Sequence, residues 1–249
     1  MMINQNFLTS ALLTMICGLF IFNNSHADKL KVGIIDFPPF YIVNDDGSTS
    51  GLYLNILRKT LQHAKLEYSL DVYPPKRLYR NLSNGKAGVV LGIKGAPEYD
   101  KQVLYSTSKI SQIQMRVYAT GTTPLPTSKE DINNHRISTI RGYSYGGLVS
   151  YFSDPKNNIN VFTTAEHLAS FQMLKNKRVD YVVNYKHPSE TVLESLFIPN
   201  VKYTNLYSVD VFFIVSKAIP NAREVLQKLE KSYLELINLG ELEYIPNDD

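Results

Sequence analysis

The chain has 249 residues, a formal net charge of +3 and 44% hydrophobic residues. That length admits one large domain or two small lobes, and so slight and scattered a charge excludes a nucleic-acid-binding stripe. The only cysteine, Cys17, lies in an apolar leader, so the remainder offers no disulfide, no thiol nucleophile and no cysteine-bound metal.

The leader differs in character from the rest of the chain. Phe7 to Phe22 is mostly apolar, and Ser25-His26-Ala27 has the small-x-small form of a signal-peptidase site. The run is short for a membrane span. Residues 1–27 are therefore expected to direct export to the periplasm and to be cleaved after Ala27, with an uncleaved anchor as the alternative. Ile16 precedes Cys17 where a lipoprotein signal needs a small residue, which argues against lipidation.

Residues 30–35, LKVGII, form an apolar run that predicts a buried strand. Asp36-Phe37-Pro38-Pro39-Phe40 ends it, because proline has no ladder donor. In open α/β sheets ligands settle at the carboxyl ends of strands, so rings held at this end point to a small-molecule cleft. A polar turn at 44–47 comes next, and Gly51 then opens a helix carrying Leu52, Leu54, Ile56, Leu57 and Leu61. Residues 68–73 alternate as a second strand, which Pro74-Pro75 ends. Residues 76–81 begin a helix that stops at Asn84-Gly85, and 88–93 make a third buried strand. The order βαβαβ predicts a parallel sheet with helices packed on it.

A second set of the same kind occupies the next hundred residues or so. Strands are expected at 112–119, 136–140, 161–162 and 179–184. Helices are expected from 128–131, at 148–152, and at 165–174 with Thr163-Thr164 as its cap. A long apolar strand at 208–216 leads to an amphipathic helix at 222–239. The 17 tyrosines, with no tryptophan, supply apolar faces with polar tips, which suit both a core and a cleft.

Gly142-Tyr143-Ser144-Tyr145-Gly146 fits the G-x-S-x-G elbow of hydrolases, in a strand–turn–helix context. That reading needs an acid and then a histidine downstream, yet the last histidine is His187 and no glycine-rich oxyanion loop precedes the turn. In a binding protein the same turn presents Tyr143, Ser144 and backbone N–H groups to a polar ligand. His63, His135, His167 and His187 are dispersed without ligand spacing, so no metal site is expected. Arg77 opens a helix beside the expected cleft, Lys94 stands directly after the third strand, and Arg141 precedes the glycine turn. Each is a candidate partner for an anionic guest, with a solvated charge as the alternative.

Taken together these motifs resemble a known family. A leader precedes L-x-V-G-x-x-x-x-P-P-F at 30–40, then Asp46-Gly47 and G-x-x-x-x-I-L at 51–57. NGKAGVVLG comes at 84–92, then Pro97-Glu98 with Lys101, then Arg178-Val179-Asp180-Tyr181-Val182-Val183. The chain resembles family three of the extracellular solute-binding proteins, the polar amino-acid type within the periplasmic binding protein-like II fold. The resemblance implies an α/β, two-lobed architecture, each lobe a mostly parallel sheet flanked by helices. Lobe one would comprise 28–108 plus 211–249, lobe two 114–206, and the hinge crossings 109–113 and 207–210. Closure about those crossings would trap a ligand.

The departures from the family bear on the ligand. The resemblance implies an Arg in T-x-E-R that clamps a carboxylate, but here the stretch is Ala96-Pro97-Glu98-Tyr99. It also implies an Asp for the ammonium, where this chain has Tyr185. Both charged clamps are tyrosine, and a buried carboxylate without a partner is costly. A cleft lined by Phe37, Tyr99 and Tyr185 is expected to favour a ring, a sugar-like face or an apolar peptide over a free amino acid. The expected role is capture of a small polar or aromatic solute for an inner-membrane permease or a sensor, by a monomer without cofactor or nucleic-acid partner. The alternatives are an enzyme resembling the periplasmic cyclohexadienyl dehydratases, a hydrolase using Ser144, and a sensor module whose cleft closes on nothing.

Overall fold

The computed structural model describes residues 29–243, so the export signal read at 1–27 lies outside the described residues, as do 244–249. The chain opens with β1 (Leu30–Ile34), whose last three residues are buried. A small hairpin is next, β2 (Ile42–Val43) against β3 (Thr49–Ser50), closed by the polar turn. Helix α1 (Leu52–His63) buries Tyr53, Leu54, Ile56, Leu57, Thr60 and Leu61, positions three and four apart on one face. Then come β4 (Tyr68–Val72), α2 (Pro75–Asn84) and β5 (Val89–Ile93). Pro75 stands in the first turn of α2 and Gly85 ends it in the left-handed conformation, the proline-first, glycine-last arrangement that both residues favour.

β1 pairs in parallel with β4 on one side and with β5 on the other, as the βαβαβ order requires. The short β6 (Val103–Tyr105) leads to β7 (Ser111–Thr120), β8 (Arg136–Ile140), α3 (Leu148–Phe152) and β9 (Asn160–Thr164). The chain continues through α4 (His167–Lys175), β10 (Tyr181–Tyr185), α5 (Lys186–Ser195), β11 (Val201–Ser216) and α6 (Ala222–Asn238). β8 lies parallel to both β9 and β10.

Each lobe is therefore a mostly parallel sheet with helices packed on it. The two sheets are continuous through the long antiparallel pair β7 and β11, in the order β4-β1-β5-β11-β7-β10-β8-β9. Along that pair Ile113 faces Val209 and Gln112 faces Asp210, with a register shift between Asn205 and Tyr207. β11 passes from β7 to β5 at Val211, so one strand serves both lobes.

Several elements differ from expectation for local reasons. β11 begins at Val201, ahead of the expected 208, because its first seven residues mix Val, Leu and Tyr with Lys, Thr and Asn, none of them buried, and show no apolar run. α5 buries only Pro188, Ser189 and Val192, too little for an apolar stripe. The cap of α4 is Glu166, while the Thr164 hydroxyl donates to the Glu166 carbonyl, so the expected threonine cap lies two residues early.

Candidate functional site

β1 stops at Ile34, and four residues on Pro38 and Pro39 offer no N–H to resume a ladder. The chain then folds back on itself: the Phe37 N–H donates to the Tyr41 carbonyl at 2.9 Å, and the Tyr41 N–H returns to the Phe37 carbonyl at 3.0 Å. This closed loop fixes two rings. Phe40 turns inward and stacks on Tyr53 of α1 at 4.4 Å. Phe37 stacks on Phe40 at 5.4 Å and reaches on to the second lobe. Gly51 allows the loop to seat, since a Cβ there would lie 2.4 Å from the Phe40 carbonyl oxygen.

The second lobe meets Phe37 with two tyrosines. Tyr143 stands after β8 and edge-on to Phe37, with centroids 5.7 Å apart. Tyr185 ends β10 and also stands edge-on, at 5.5 Å. Tyr145 stacks flat on Tyr185 at 5.5 Å, and its hydroxyl accepts the Ile140 N–H at 2.6 Å. The Tyr207 hydroxyl in turn donates to the Tyr145 carbonyl. The glycine turn is thereby pinned from both sides. It also touches the first lobe directly: a Cβ on Gly95 would fall 2.3 Å from the Gly146 carbonyl carbon.

Phe37, Tyr79, Tyr99, Tyr143, Ser144 and Tyr185 line one cavity of about 70 Å³, together with aliphatic residues of β5 and α2. Five of the eight residues singled out in the sequence thus meet. No charged residue lines this cavity. Arg77, Lys94 and Arg141 are exposed and lie outside it. The Lys94 ammonium stands 4.2 Å from the centre of the Phe212 ring, and the Arg141 N–H donates to the Thr164 carbonyl.

Tyr99 spends its hydroxyl on its own loop, donating to the Ile93 carbonyl at 2.5 Å. The neighbouring Asp100 carboxylate accepts the Gly95 N–H at 3.1 Å and the Tyr105 hydroxyl. Burial pushes the Tyr79 phenol up to about 12 and the Tyr99, Tyr143 and Tyr185 phenols well above their usual value, with the neighbouring tyrosines adding to the rise in the last three. All four are neutral at physiological pH, so the cavity offers hydroxyls and ring faces without formal charge.

Two further groups escaped the sequence reading. Tyr79 sits in the middle of α2, where its spacing matches ordinary core filling. His167, at the start of α4, lies behind Tyr143, with Nε2 3.4 Å from the Tyr143 hydroxyl and Nδ1 2.9 Å from Asn184 Nδ2. Burial lowers its pKa to about 4, against a smaller upward pull from Asn184. The Ser144 Oγ is buried and has no hydrogen-bond partner, so no histidine is placed to activate it. α3, which comes after the turn, has only five residues, so the N–H groups there lack a long helix behind them. Among the described residues no group of histidines, cysteines and carboxylates is arranged to hold a metal ion, and no helix is long and apolar enough to cross a membrane.

No protein-family model matches the chain, and no curated protein matches it. Solved structures do. A histidine kinase sensor domain with similarity to periplasmic binding proteins aligns with a TM-score of 0.72 at 15% identity, covering 86% of this chain and 92% of that one. An ancestral arginine-binding protein bound to arginine aligns at 0.68 and 21% identity, covering 85% and 93%. The GluR0 ligand-binding core in complex with L-glutamate aligns at 0.66 and 16% identity, covering 86% and 96%. At these identities the likeness establishes the fold, which is that of the two-lobed periplasmic binding proteins.

Proposed function

We propose that the chain is an exported solute-binding protein that captures a small polar or aromatic solute between its lobes, for uptake or for sensing. In this reading lobe one comprises 28–108 plus 211–249 and lobe two 114–206, with hinge crossings at 109–113 and 207–210. The observation that carries it is Phe37 of the first lobe set edge-on to Tyr143 and Tyr185 of the second, over a cavity without a charged residue. Pockets of this make-up, apolar with a few polar tips at a lobe junction, are the usual form of small-molecule sites.

Phe37, Tyr99, Tyr143, Ser144 and Tyr185 form the ligand-binding set, and Arg77, Lys94 or Arg141 supplies a counter-charge at the rim for an anionic guest. The solved relatives that hold arginine or glutamate support capture as the role of the fold. The uncharged lining here favours a different guest, since a zwitterion would bury two charges without partners. Delivery to an inner-membrane permease or to a sensor completes the role, and the protein acts as a monomer.

Thermal-shift screening of the purified protein against sugars, ring compounds, short peptides and amino acids tests the reading. A true ligand at a hundred times its Kd adds about 2.7 kcal/mol of stability. A panel without any shift, combined with ester hydrolysis that Ser144→Ala abolishes, would replace capture with catalysis.

A further inference from the structure

The rings in the cleft are not held alike. Phe37 and Tyr185 sit at strand ends, and Tyr143 and Tyr145 in a turn fastened by its own hydrogen bonds. Tyr79 instead projects from a helix and is only half-buried. It packs on Tyr99 at 5.2 Å and aims its hydroxyl across the cleft at Ser144 of the other lobe, without closing a hydrogen bond to the Oγ. Tyr79 lines the same cavity as the Tyr99, Tyr143 and Tyr185 rings.

Two features of the cavity call for an occupant other than solvent. The Ser144 Oγ is fully buried and unpartnered, which is costly for a hydroxyl. The free space of about 70 Å³ is far below the roughly 150 Å³ in which a protein accommodates a benzene ring. A guest ring therefore cannot be added to the present packing; it has to replace a ring already there. Tyr79 is the least buried of the rings that line the cavity and is carried on a helix rather than at a strand end.

We propose that Tyr79 is a built-in occupant of the cleft, and that the solute to which it yields is a small uncharged ring bearing a hydroxyl, of the phenol class. The inference rests on the capture reading and names its guest. The position of Tyr79 shows what the site complements: a ring tilted at 60° against Tyr99, an apolar wall from β5, and a hydroxyl near Ser144. A phenol in the same place, free of the helix that tethers Tyr79, donates to the Ser144 Oγ and satisfies it. A charged substituent finds no partner among the lining residues.

Titration calorimetry with p-cresol, toluene and L-tyrosine on the wild type and on Tyr79→Ala tests this. The variant should bind p-cresol at least tenfold more tightly than the wild type does, because no internal ring competes. It should prefer p-cresol to toluene at least tenfold and reject L-tyrosine. A folded variant that takes neither compound, or takes both equally, overturns the proposal. Should the Ala variant fail to fold, fluorine NMR of 3-fluorotyrosine-labelled wild type gives the answer, with the Tyr79 signal assigned through Tyr79→Phe. Saturating p-cresol should shift that signal toward its solvent-exposed position, and a bound complex with Tyr79 unmoved overturns the proposal. A different solute that binds the wild type and leaves Tyr79 in place sinks the occupant idea while capture stands. If Tyr79→Ala takes p-cresol but no solute of any class binds the wild type, the capture reading fails and Tyr79 is only a filler.

Discussion

Phe37 and Tyr185 stand edge-on, 5.5 Å between centroids and 78° between planes, and they belong to opposite lobes. One is fixed by the loop that closes after β1, the other by the end of β10. An aromatic pair of this geometry contributes about 0.5–1.5 kcal/mol beyond the area it buries. In the proposed capture this pair favours the closed arrangement, and the guest has to fit against the same two rings.

Phe37→Leu separates binding from folding. Leucine keeps most of the apolar volume and loses the edge contacts to Tyr143 and Tyr185, so the change should cost about 1–3 kcal/mol of stability. Affinity for the captured solute should fall at least tenfold. Calorimetry and urea denaturation read the two effects, and unchanged affinity would move the site away from Phe37.

Glutamine, arginine and glutamate should give no thermal shift at millimolar concentration. Their carboxylate would sit where Tyr99 donates to the Ile93 carbonyl, and their ammonium where Tyr185 stacks on Tyr145. Arg77, Lys94 and Arg141 are exposed and outside the cavity, so none stands in for a buried clamp. Micromolar binding of any of the three, measured by calorimetry, would mean that the lobes open to recruit one of those cations.

What could be read in advance depends on how local each signal is. The glycine at the end of α2 marks its boundary by backbone chemistry alone and the helix ends there, whereas β1 ends at Ile34, four residues ahead of the double proline. The meeting of Phe37 with Tyr143 and Tyr185 needed the resemblance as well, because nothing local ties residue 37 to residue 185. Arg116 shows the opposite case. In β7 it falls in an alternating strand on what reads as the polar face, yet it is buried. Its guanidinium is held by Glu190 at 2.9 Å and Asn205 at 3.0 Å and lies 3.9 Å over the Tyr203 ring. Those partners sit far along the chain, so alternation alone gives the wrong side. Tyr79 was hidden for a related reason: at helical spacing a cleft tyrosine and a core tyrosine look the same.

Gly95→Ala should hold the lobes apart. An added Cβ would meet the Gly146 carbonyl carbon at 2.3 Å, and backbone cannot swing away as a flexible side chain can. Gly95 also has φ of +95°, which disfavours alanine independently. The variant should lose at least about 1 kcal/mol of stability. Small-angle scattering should show a larger radius of gyration than the wild type. An unchanged radius would mean that the contact is not what limits closure.

His167 gives the protein a pH dependence with a defined sign. Burial lowers its folded pKa to about 4, below the ordinary 6.5 that the unfolded chain retains. Above about pH 6.5 the imidazole is neutral in both states and contributes no slope. As the pH falls from 6.5 toward 4, the unfolded chain takes up a proton that the folded one refuses, and stability drops by at most about 3 kcal/mol. Below pH 4 both states are protonated and this slope vanishes. The carboxyls of Asp46, Asp131 and Asp180 are held below their usual value by hydrogen bonds, so their own losses set in only from about pH 5 and fall mostly below about pH 4. Urea denaturation at pH 7, 5 and 4 should therefore show most of the loss above the carboxylate range, and His167→Gln should flatten it. An equal loss in the variant would assign the slope elsewhere.

Ser144→Ala separates a hydrolytic elbow from a ligand handle. The Oγ is buried without a partner, so removing it relieves a desolvation cost and leaves a methyl group that fits the same space. The variant should be as stable as the wild type or more stable by up to about 1 kcal/mol, which is unusual for a change at a buried polar position. A catalytic serine needs a base within hydrogen-bond reach, and His167 instead reaches Tyr143 and Asn184. Wild type and variant should accordingly leave p-nitrophenyl esters equally unhydrolysed, while affinity for a hydroxylated ring falls in the variant alone. Stability loss in Ser144→Ala would show that the hydroxyl has a partner in solution, and ester turnover confined to the wild type would restore the elbow reading.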